Sequence, residues 1–300
     1  AKVEALNPGG SAKDRPARHM IERALADGRL QPGDTVVESS SGNMGIGLAQ
    51  ACAVHGLQFI CVVDPNAQSQ NVAIIRALGG QIELVDHAPD GDFLAARLDR
   101  VAKLLEEDSG RFWPNQYANL DNPESHELGT IAEIDAALGG QIDVLFVACS
   151  STGTARGCRD YLRRMGRKTK VVAVDAMGST LFNGTAGPRK ISGMGAGRIP
   201  ELAKGQEFDD LVRVSDVTCV AGCRRAVARE GLLVGGSGGG VLEAVRGMQD
   251  ELAGLTVAAI IHDSGSRYLG TVFDPEWVER ELGICEADVT ALAGLAPADS

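Results

Sequence analysis

Lys13 stands in Asn7-Pro8-Gly9-Gly10-Ser11-Ala12-Lys13-Asp14-Arg15-Pro16, a glycine-rich loop that runs into a helix. A lysine amine placed this way can form a Schiff base with an aldehyde and then act as a base. Both tasks need the deprotonated amine, which burial or nearby cations promote. Gly9 and Gly10 let the backbone come close to a bound group. Two more segments, Ser40-Ser41-Gly42-Asn43 and Ser150-Ser151-Thr152-Gly153-Thr154, each follow an apolar run and open a helix pattern. Their N–H groups and hydroxyls suit a carboxylate or a phosphate at a positive helix end. A fourth segment, Gly235-Gly236-Ser237-Gly238-Gly239, sets one serine in a glycine turn ahead of a helix. Taken singly, these read as a surface lysine, capped helices and a flexible turn. Together they are the parts needed to hold pyridoxal 5'-phosphate.

The elements that must position these residues alternate. Strand patterns cover 35–38, 58–63, 81–85, 144–148, 170–174, 211–214 and 256–261. Helix patterns cover 45–55, 69–77, 92–105, 125–137, 153–165, 217–229 and 240–252. Alternation predicts an α/β chain with parallel sheets and helices on both faces. Short continuous apolar runs such as Val144-Leu145-Phe146-Val147 fit strands buried on both sides. No repeat of solenoid period stands out.

Composition limits the function classes. The chain has 300 residues and a hydrophobic fraction of 44%, enough for two lobes. A net charge of −11 argues against nucleic acid, which asks for a basic face. No apolar run reaches the roughly 18 residues of a membrane span, so none is expected, and no signal peptide is visible; the cysteine usage points to the cytoplasm. Seven cysteines without a spaced framework read as reduced thiols. Cys219 and Cys223 are one helical turn apart, and no metal site is expected there. Gly42, Gly45 and Gly47 do not make the dinucleotide spacing, nor do the glycines of 193–197, although Asp64 ends the second strand run.

The four segments, in that order, resemble the cysteine synthase family, the fold type II (tryptophan synthase β-like) pyridoxal-phosphate enzymes. The likeness runs from Asn7 to about Leu282. It implies a two-lobed fold: a smaller lobe over 7–122, a larger cofactor-binding lobe of 1–6 with 123–285, and a loosely ordered tail over 286–300. It implies Lys13 as the catalytic Schiff-base lysine. It puts Asn43 on the ring oxygen, Ser150, Ser151, Thr152, Gly153 and Thr154 on the phosphate, and Ser237 on the ring nitrogen. Such a neutral partner makes the ring a weaker electron sink, which suits β-elimination and replacement. Ser40, Ser41 and Gly42 are implied to hold the substrate carboxylate. Gly193-Met194-Gly195-Ala196-Gly197-Arg198 matches a family loop over the active site. His262 is expected to be structural. Members of the family carry a longer stretch before the lysine loop, including a Thr-Pro segment; here twelve residues precede Lys13.

One branch of the family, the glutamate-using branch of siderophore biosynthesis (staphyloferrin B type), resembles the chain more closely. The shared segments are Cys61-Val62-Val63-Asp64-Pro65, Asn115-Gln116-Tyr117-Ala118-Asn119, Val172-Ala173-Val174-Asp175-Ala176, Gly195-Ala196-x-Arg198 and an apolar residue at Met44, where sulfide users have threonine. The resemblance implies O-phospho-L-serine and L-glutamate as substrates and N-(2-amino-2-carboxyethyl)-L-glutamate as product. Met44, Arg97, Tyr117, Ser150, Gly195 and Arg198 are then expected at the substrates, and a homodimer is expected by analogy. The rivals are a cysteine or S-sulfocysteine synthase using a sulfur nucleophile, and a non-catalytic cofactor-binding scaffold.

Overall fold

The computed structural model describes residues 1–295. The chain divides into two compact units: Asn7–Asn122, and Ala1–Leu6 with the chain from Pro123 onward.

The smaller unit is built on three parallel strands in the order β2 (Thr35–Ser39), β3 (Gln58–Val63) and β4 (Gln81–Leu84). Strand β1 (Lys2–Val3) belongs to the other unit. Because side chains alternate along a strand, each face of this sheet makes its own core. Val36, Phe59, Cys61 and Val63 pack on helices α1 (Asp14–Ala26), α2 (Asn43–His55) and α3 (Ser69–Ala77), through Met20, Ile21, Ile46, Leu48 and Ile75. Val37 and Val62 face the other way, onto Val101 and Leu104 of α4 (Phe93–Glu107). Each such aliphatic side chain stabilises the fold by roughly 1.5–3 kcal/mol. The ends of these helices are written locally. Asp92 caps α4 by accepting from Ala95 N at 3.0 Å, and Gly56, at φ 66°, closes α2 in the left-handed region.

The chain passes through the short helix α5 (Asp121–Ser125) and a π-helical turn, His126–Thr130, into α6 (Ile131–Ala137). The larger unit holds five parallel strands in the order β1 (Lys2–Val3), β8 (Val257–Ile261), β5 (Val144–Ala148), β6 (Lys170–Ala176), β7 (Asp210–Val214). Leu145, Val147 and Ala173 pack with α6 and α7 (Gly153–Arg164). Phe146, Val172 and Val174 face α8 (Asp216–Glu230), α9 (Gly236–Gly247), α10 (Pro275–Leu282) and α11 (Glu286–Leu292). The expected α/β fold with helices on both sheet faces is therefore present. Among the described residues the seven cysteines form no disulfide, and six of them are buried.

Three local readings differ from the structure. The helix expected over 125–137 starts earlier, at Asp121, and runs through a π turn at His126–Thr130 before α6. At that place Gly157 of α7 comes so near that a Cβ there would lie 3.0 Å from His126 Cβ. The tail was expected to be loosely ordered, yet its first part forms α11, with Val289 and Ala293 fully buried. The last five residues, 296–300, lie outside the described residues. Finally, residues 235–239 are not a flexible turn. Helix α9 begins at Gly236, so Ser237 sits in its first turn.

The glycines of α9 are packing residues. A Cβ on Gly239 would lie 2.6 Å from Cys223 Sγ and 2.8 Å from Cys223 N of α8, and closer still to the Cys219 carbonyl. One on Gly240 would stand 2.9 Å from Cys219 Sγ. Only glycine lets the two helices approach this far. Gly239→Ala is expected to destabilise the protein by roughly 2–3 kcal/mol in urea denaturation. Gly247→Ala, where a Cβ meets nothing within 4 Å, should cost nothing measurable. Equal midpoints for the two variants would show that α8 and α9 are not held by this contact.

Candidate active site

Lys13 is half-buried, one residue ahead of α1. Its loop is folded on itself. Gly10 N donates to Asn7 O at 2.7 Å with Gly10 at φ 77°, Asn7 Nδ2 donates to Ser11 O at 3.1 Å, and Lys13 N donates to Ser11 Oγ at 3.2 Å. Gly9 N donates to the Asp14 carboxylate, which fastens the loop to the start of α1. Gly47 of α2 then lets α1 come close. A Cβ there would lie 3.0 Å from Lys13 O and 2.9 Å from Ala17 Cβ. The lysine is thus held beside the first turns of α2, and Asn43 is the first residue of that helix.

The serine loop leaves the end of β2 and enters α2. Ser40 is buried, and its Oγ accepts from Gly45 N at 3.0 Å and Gly42 N at 3.4 Å. Cys61 Sγ donates to Ser40 O at 2.8 Å, and burial pushes that thiol up to about 12. Ser41 and Asn43 are half-exposed. Met44 is only 2% exposed and belongs to the apolar core of the smaller unit rather than to the loop surface.

Arg97, from α4, reaches the same loop. Its Nη1 donates to Ser41 Oγ at 3.3 Å, and its Nε lies 3.1 Å from Asp64 Oδ2. The Asp64 contact is a charge pair approached off the N–H axis, since Nε has no aligned acceptor. Asp64 Oδ1 also takes Asn66 N at 2.8 Å, and Asn71 Nδ2 donates to Ser41 O at 3.2 Å. Asp64 therefore ends the second strand run as the holder of an arginine, not as a ribose ligand. Burial raises the Tyr117 hydroxyl above its ordinary range, with Glu38 pushing the same way and Arg97 opposing.

Glu38 was missed in the sequence. Its only signal there is a charged residue inside the apolar run Val36-Val37-Glu38. The carboxyl is completely buried. Oε1 accepts from Trp113 Nε1 at 3.0 Å and from Ser39 N at 2.9 Å, and Oε2 accepts from Gln116 N at 3.2 Å. Desolvation outweighs these donors and raises Glu38 to about 7.

The larger unit carries the other candidates. Residues 150–154 follow β5 and open α7. Thr152 adopts φ 67°, a left-handed position that turns successive N–H groups inward. Gly153 N donates to Ser151 Oγ at 3.4 Å, and Gln206 Nε2 to Thr152 Oγ1 at 3.1 Å. His126, from the π turn, lies 3.2 Å from Thr154 Oγ1 and 2.9 Å from Thr130 Oγ1. Ser150 Oγ donates to Gly195 O at 3.0 Å, while Gly195 N donates to Cys149 O at 2.7 Å. Ser179 Oγ accepts from Ala196 N at 3.1 Å. The glycine loop is thereby tied to the anion loop. Gly193, at φ 86°, lies over buried Ser237; a Cβ there would be 3.6 Å from its Oγ. Arg198 is exposed at the end of that loop, and His262 is half-buried at the end of β8.

This donor set fits pyridoxal 5'-phosphate. The smaller unit offers a lysine beside an asparagine at a helix start, and the larger unit a hydroxyl-lined nest at the start of a 12-residue helix and a buried serine, the donor types that its aldehyde, ring oxygen, phosphate and ring nitrogen call for. Fold and donor set define a pyridoxal-phosphate enzyme. The chain belongs to the pyridoxal-phosphate dependent enzyme family, whose profile matches residues 1–263. It is 44% identical over 282 residues to an N-(2-amino-2-carboxyethyl)-L-glutamate synthase of Ralstonia nicotianae, covering 93% of this chain and 83% of that protein. It is 42% identical to a protein of the same name from Cupriavidus metallidurans, covering 93% and 84%. A hydrogen sulfide-producing enzyme from Fusobacterium nucleatum superposes with a TM-score of 0.84 at 32% identity, covering 89% of this chain and 90% of that one. The protein is a pyridoxal-phosphate enzyme of fold type II that makes a β-substituted alanine.

The Glu38 carboxyl gives a stability test with a definite sign. A folded value of about 7 against an ordinary 4.5 means that the native state binds this proton more tightly. Its ionisation therefore lowers stability as pH rises from about 4.5 to about 7, with no further change above. Glu38→Gln should remove that slope, on the order of a few kcal/mol, in urea melts run across the window. Parallel pH curves for the two proteins would show that Glu38 is not buried as charged.

Proposed function

We propose that the enzyme replaces the β-substituent of O-phospho-L-serine with the amine of L-glutamate, giving N-(2-amino-2-carboxyethyl)-L-glutamate. The observation that carries this reading is Arg97 on Ser41: a largely buried guanidinium, anchored by Asp64, on the loop suited to a carboxylate. A second carboxylate in the nucleophile would meet that charge, whereas sulfide has no use for it. The names borne by the two bacterial relatives support it.

Bound at Lys13, pyridoxal 5'-phosphate would supply the aldehyde that captures the amino acid and a ring that takes up the electron pair freed when the α-proton is removed. The residues of the chain divide the remaining work. The amides and hydroxyls of Ser40, Ser41 and Gly42 hold the α-carboxylate, and Asn43 orients the ring oxygen. The Lys13 amine, once released, removes the α-proton. Residues 150–154 hold the cofactor phosphate, and Ser237 faces the ring nitrogen as a neutral partner. The departing phosphate carries about two negative charges, which Arg198 and the Ser150 hydroxyl offset. Arg97 takes the glutamate side-chain carboxylate, and Tyr117 lines the same place. Met44 contributes by filling the core beneath the loop, where a threonine would add a hydroxyl. By likeness to the family, the enzyme works in the cytoplasm as a homodimer; no described helix is long and apolar enough to cross a membrane.

Two experiments check this. Lys13→Ala should lose the visible absorption of the cofactor linkage and all turnover; a coloured, active variant sinks the role of Lys13. The holoenzyme should respond spectrally to O-phospho-L-serine more strongly than to O-acetyl-L-serine. Adding L-glutamate should then yield the secondary amine by mass, and Arg97→Gln should raise the KM for L-glutamate by about tenfold or more. Product formed with sulfide and none with glutamate would make the enzyme a sulfur user instead.

A further inference from the structure

We propose that Glu38 is a positioning residue: its buried carboxylate ties the serine loop after β2 to the 113–117 turn and so sets where Tyr117 stands for the second substrate. The proposal rests on the reading above, in which Ser40 and Ser41 face the first substrate and Tyr117 the second.

The geometry is that of a staple. Glu38 is the last residue but one of β2, and Ser39, its neighbour, begins the serine loop. Trp113 and Gln116 belong to a different segment. Between them Asn115 is held at φ 49°, in the left-handed region. Ala118 N and Asn119 N both donate to Asn115 O at 3.0 Å, and Asn122 Nδ2 donates to Gln116 O at 2.8 Å, so the turn is rigid on its far side. On its near side the Glu38 carboxylate accepts from Trp113 and Gln116. Tyr117 follows Gln116 directly, so its position is inherited from that bond.

All of the groups donating to Glu38 are N–H groups. A carboxylate, which only accepts, suits them. A carboxylic acid would turn its own O–H toward donors and leave one N–H unmet in a dry site. From β3, Cys61 faces Glu38 as a neutral thiol; from the turn, Tyr117 faces it as a neutral phenol. From α4, the charge of Arg97 acts on both of these groups, and Val101, Leu104 and Leu105 of that helix are apolar. Proton uptake at Glu38 therefore weakens the near side of the turn while the far side stays bonded. Acidification through neutrality is expected to loosen Tyr117 and to weaken binding of the amine substrate.

Glu38 touches neither substrate nor cofactor, so its effect should fall on KM. In the holoenzyme, Glu38→Gln keeps an oxygen for two of the donors but sets an amide against the third. The expected result is a KM for L-glutamate raised about tenfold, the size of one lost charge-assisted hydrogen bond, with kcat changed by less than about threefold. The wild-type KM should climb between pH 8 and pH 6 more steeply than that of Glu38→Gln, although Lys13 and the glutamate amine titrate equally in both. Glu38→Asp should recover part of the loss. A loss in kcat equal to the loss in active protein, with KM unchanged, would reduce Glu38 to a structural role.

Tyr117→Phe separates this proposal from the reading beneath it. If Tyr117→Phe leaves the glutamate KM alone, Tyr117 is not at the second substrate. If Tyr117→Phe raises it and Glu38→Gln does not, the staple is wrong and the function stands. A second measurement needs no turnover and no variant that folds. The indole N–H resonance of Trp113 in the wild-type holoenzyme should move with pH, with a midpoint near neutrality. A resonance that stays still from pH 5 to pH 8.5 overturns the proposal.

Discussion

Parallel strands all end on one side of their sheet, and the serine loop and the hydroxyl nest both hang from such ends. In the smaller unit β2 delivers the serine loop and β3 delivers Asp64. In the larger unit β5 delivers the 150–154 nest, β6 delivers Asp175, and β8 delivers His262 and Asp263. Each helix that follows the serine loop or the nest starts with N–H groups that have no helical carbonyl to meet; Ser40 Oγ takes Gly45 N and Ser151 Oγ takes Gly153 N, and such strand-to-helix turns suit anions. The chemistry of this enzyme is an elaboration of that backbone constraint. Hydroxyls are added where the amides already point.

Burial makes the polar groups around those ends consequential. Arg97 is confined by Asp64 on one side and Ser41 on the other, so its charge has one direction to act in. Asp175 shows the same economy in the larger unit. It is completely buried, its Oδ1 accepts from Ala176 N at 2.9 Å, and burial raises its carboxyl above the ordinary range against a hydroxyl donated by Ser179. Ser179 in turn accepts from Ala196 N and steadies the glycine loop. In both units a buried acid holds part of the candidate site in place: Asp64 holds Arg97 directly, and Asp175, through Ser179, steadies the glycine loop.

Much of this could be read before any coordinates. Strands 58–63 and 144–148 match to the residue, because short apolar runs bounded by polar residues leave no other period to choose. Lys13 and the serine loops were legible because glycine and hydroxyl clusters have few other uses at a helix start. What was not legible depends on approach between distant segments. Gly239 reads as a turn residue until Cys219 and Cys223 are placed against it. Glu38 reads as a stray charge until Trp113 and Gln116, some 75 residues on, turn their N–H groups toward it. Asp64 resembled a nucleotide ligand for the same reason: sequence shows the strand end, not the arginine arriving from α4. The helix over Glu286–Leu292 was hidden by composition, since alanine- and aspartate-rich tails are commonly loose and only the burial of Val289 decides otherwise.

The cysteines carry a practical corollary. Burial raises Cys52, Cys61 and Cys219 to about 12 and Cys149 and Cys223 higher than their ordinary range, and Cys158 is wholly enclosed. None of these presents a thiolate to an alkylating reagent while the fold is intact. Cys285 alone is exposed, at the cap of α11. A maleimide fluorophore added to the native enzyme would therefore attach at a single defined point, and slow labelling at the other six would clock the opening of the protein interior.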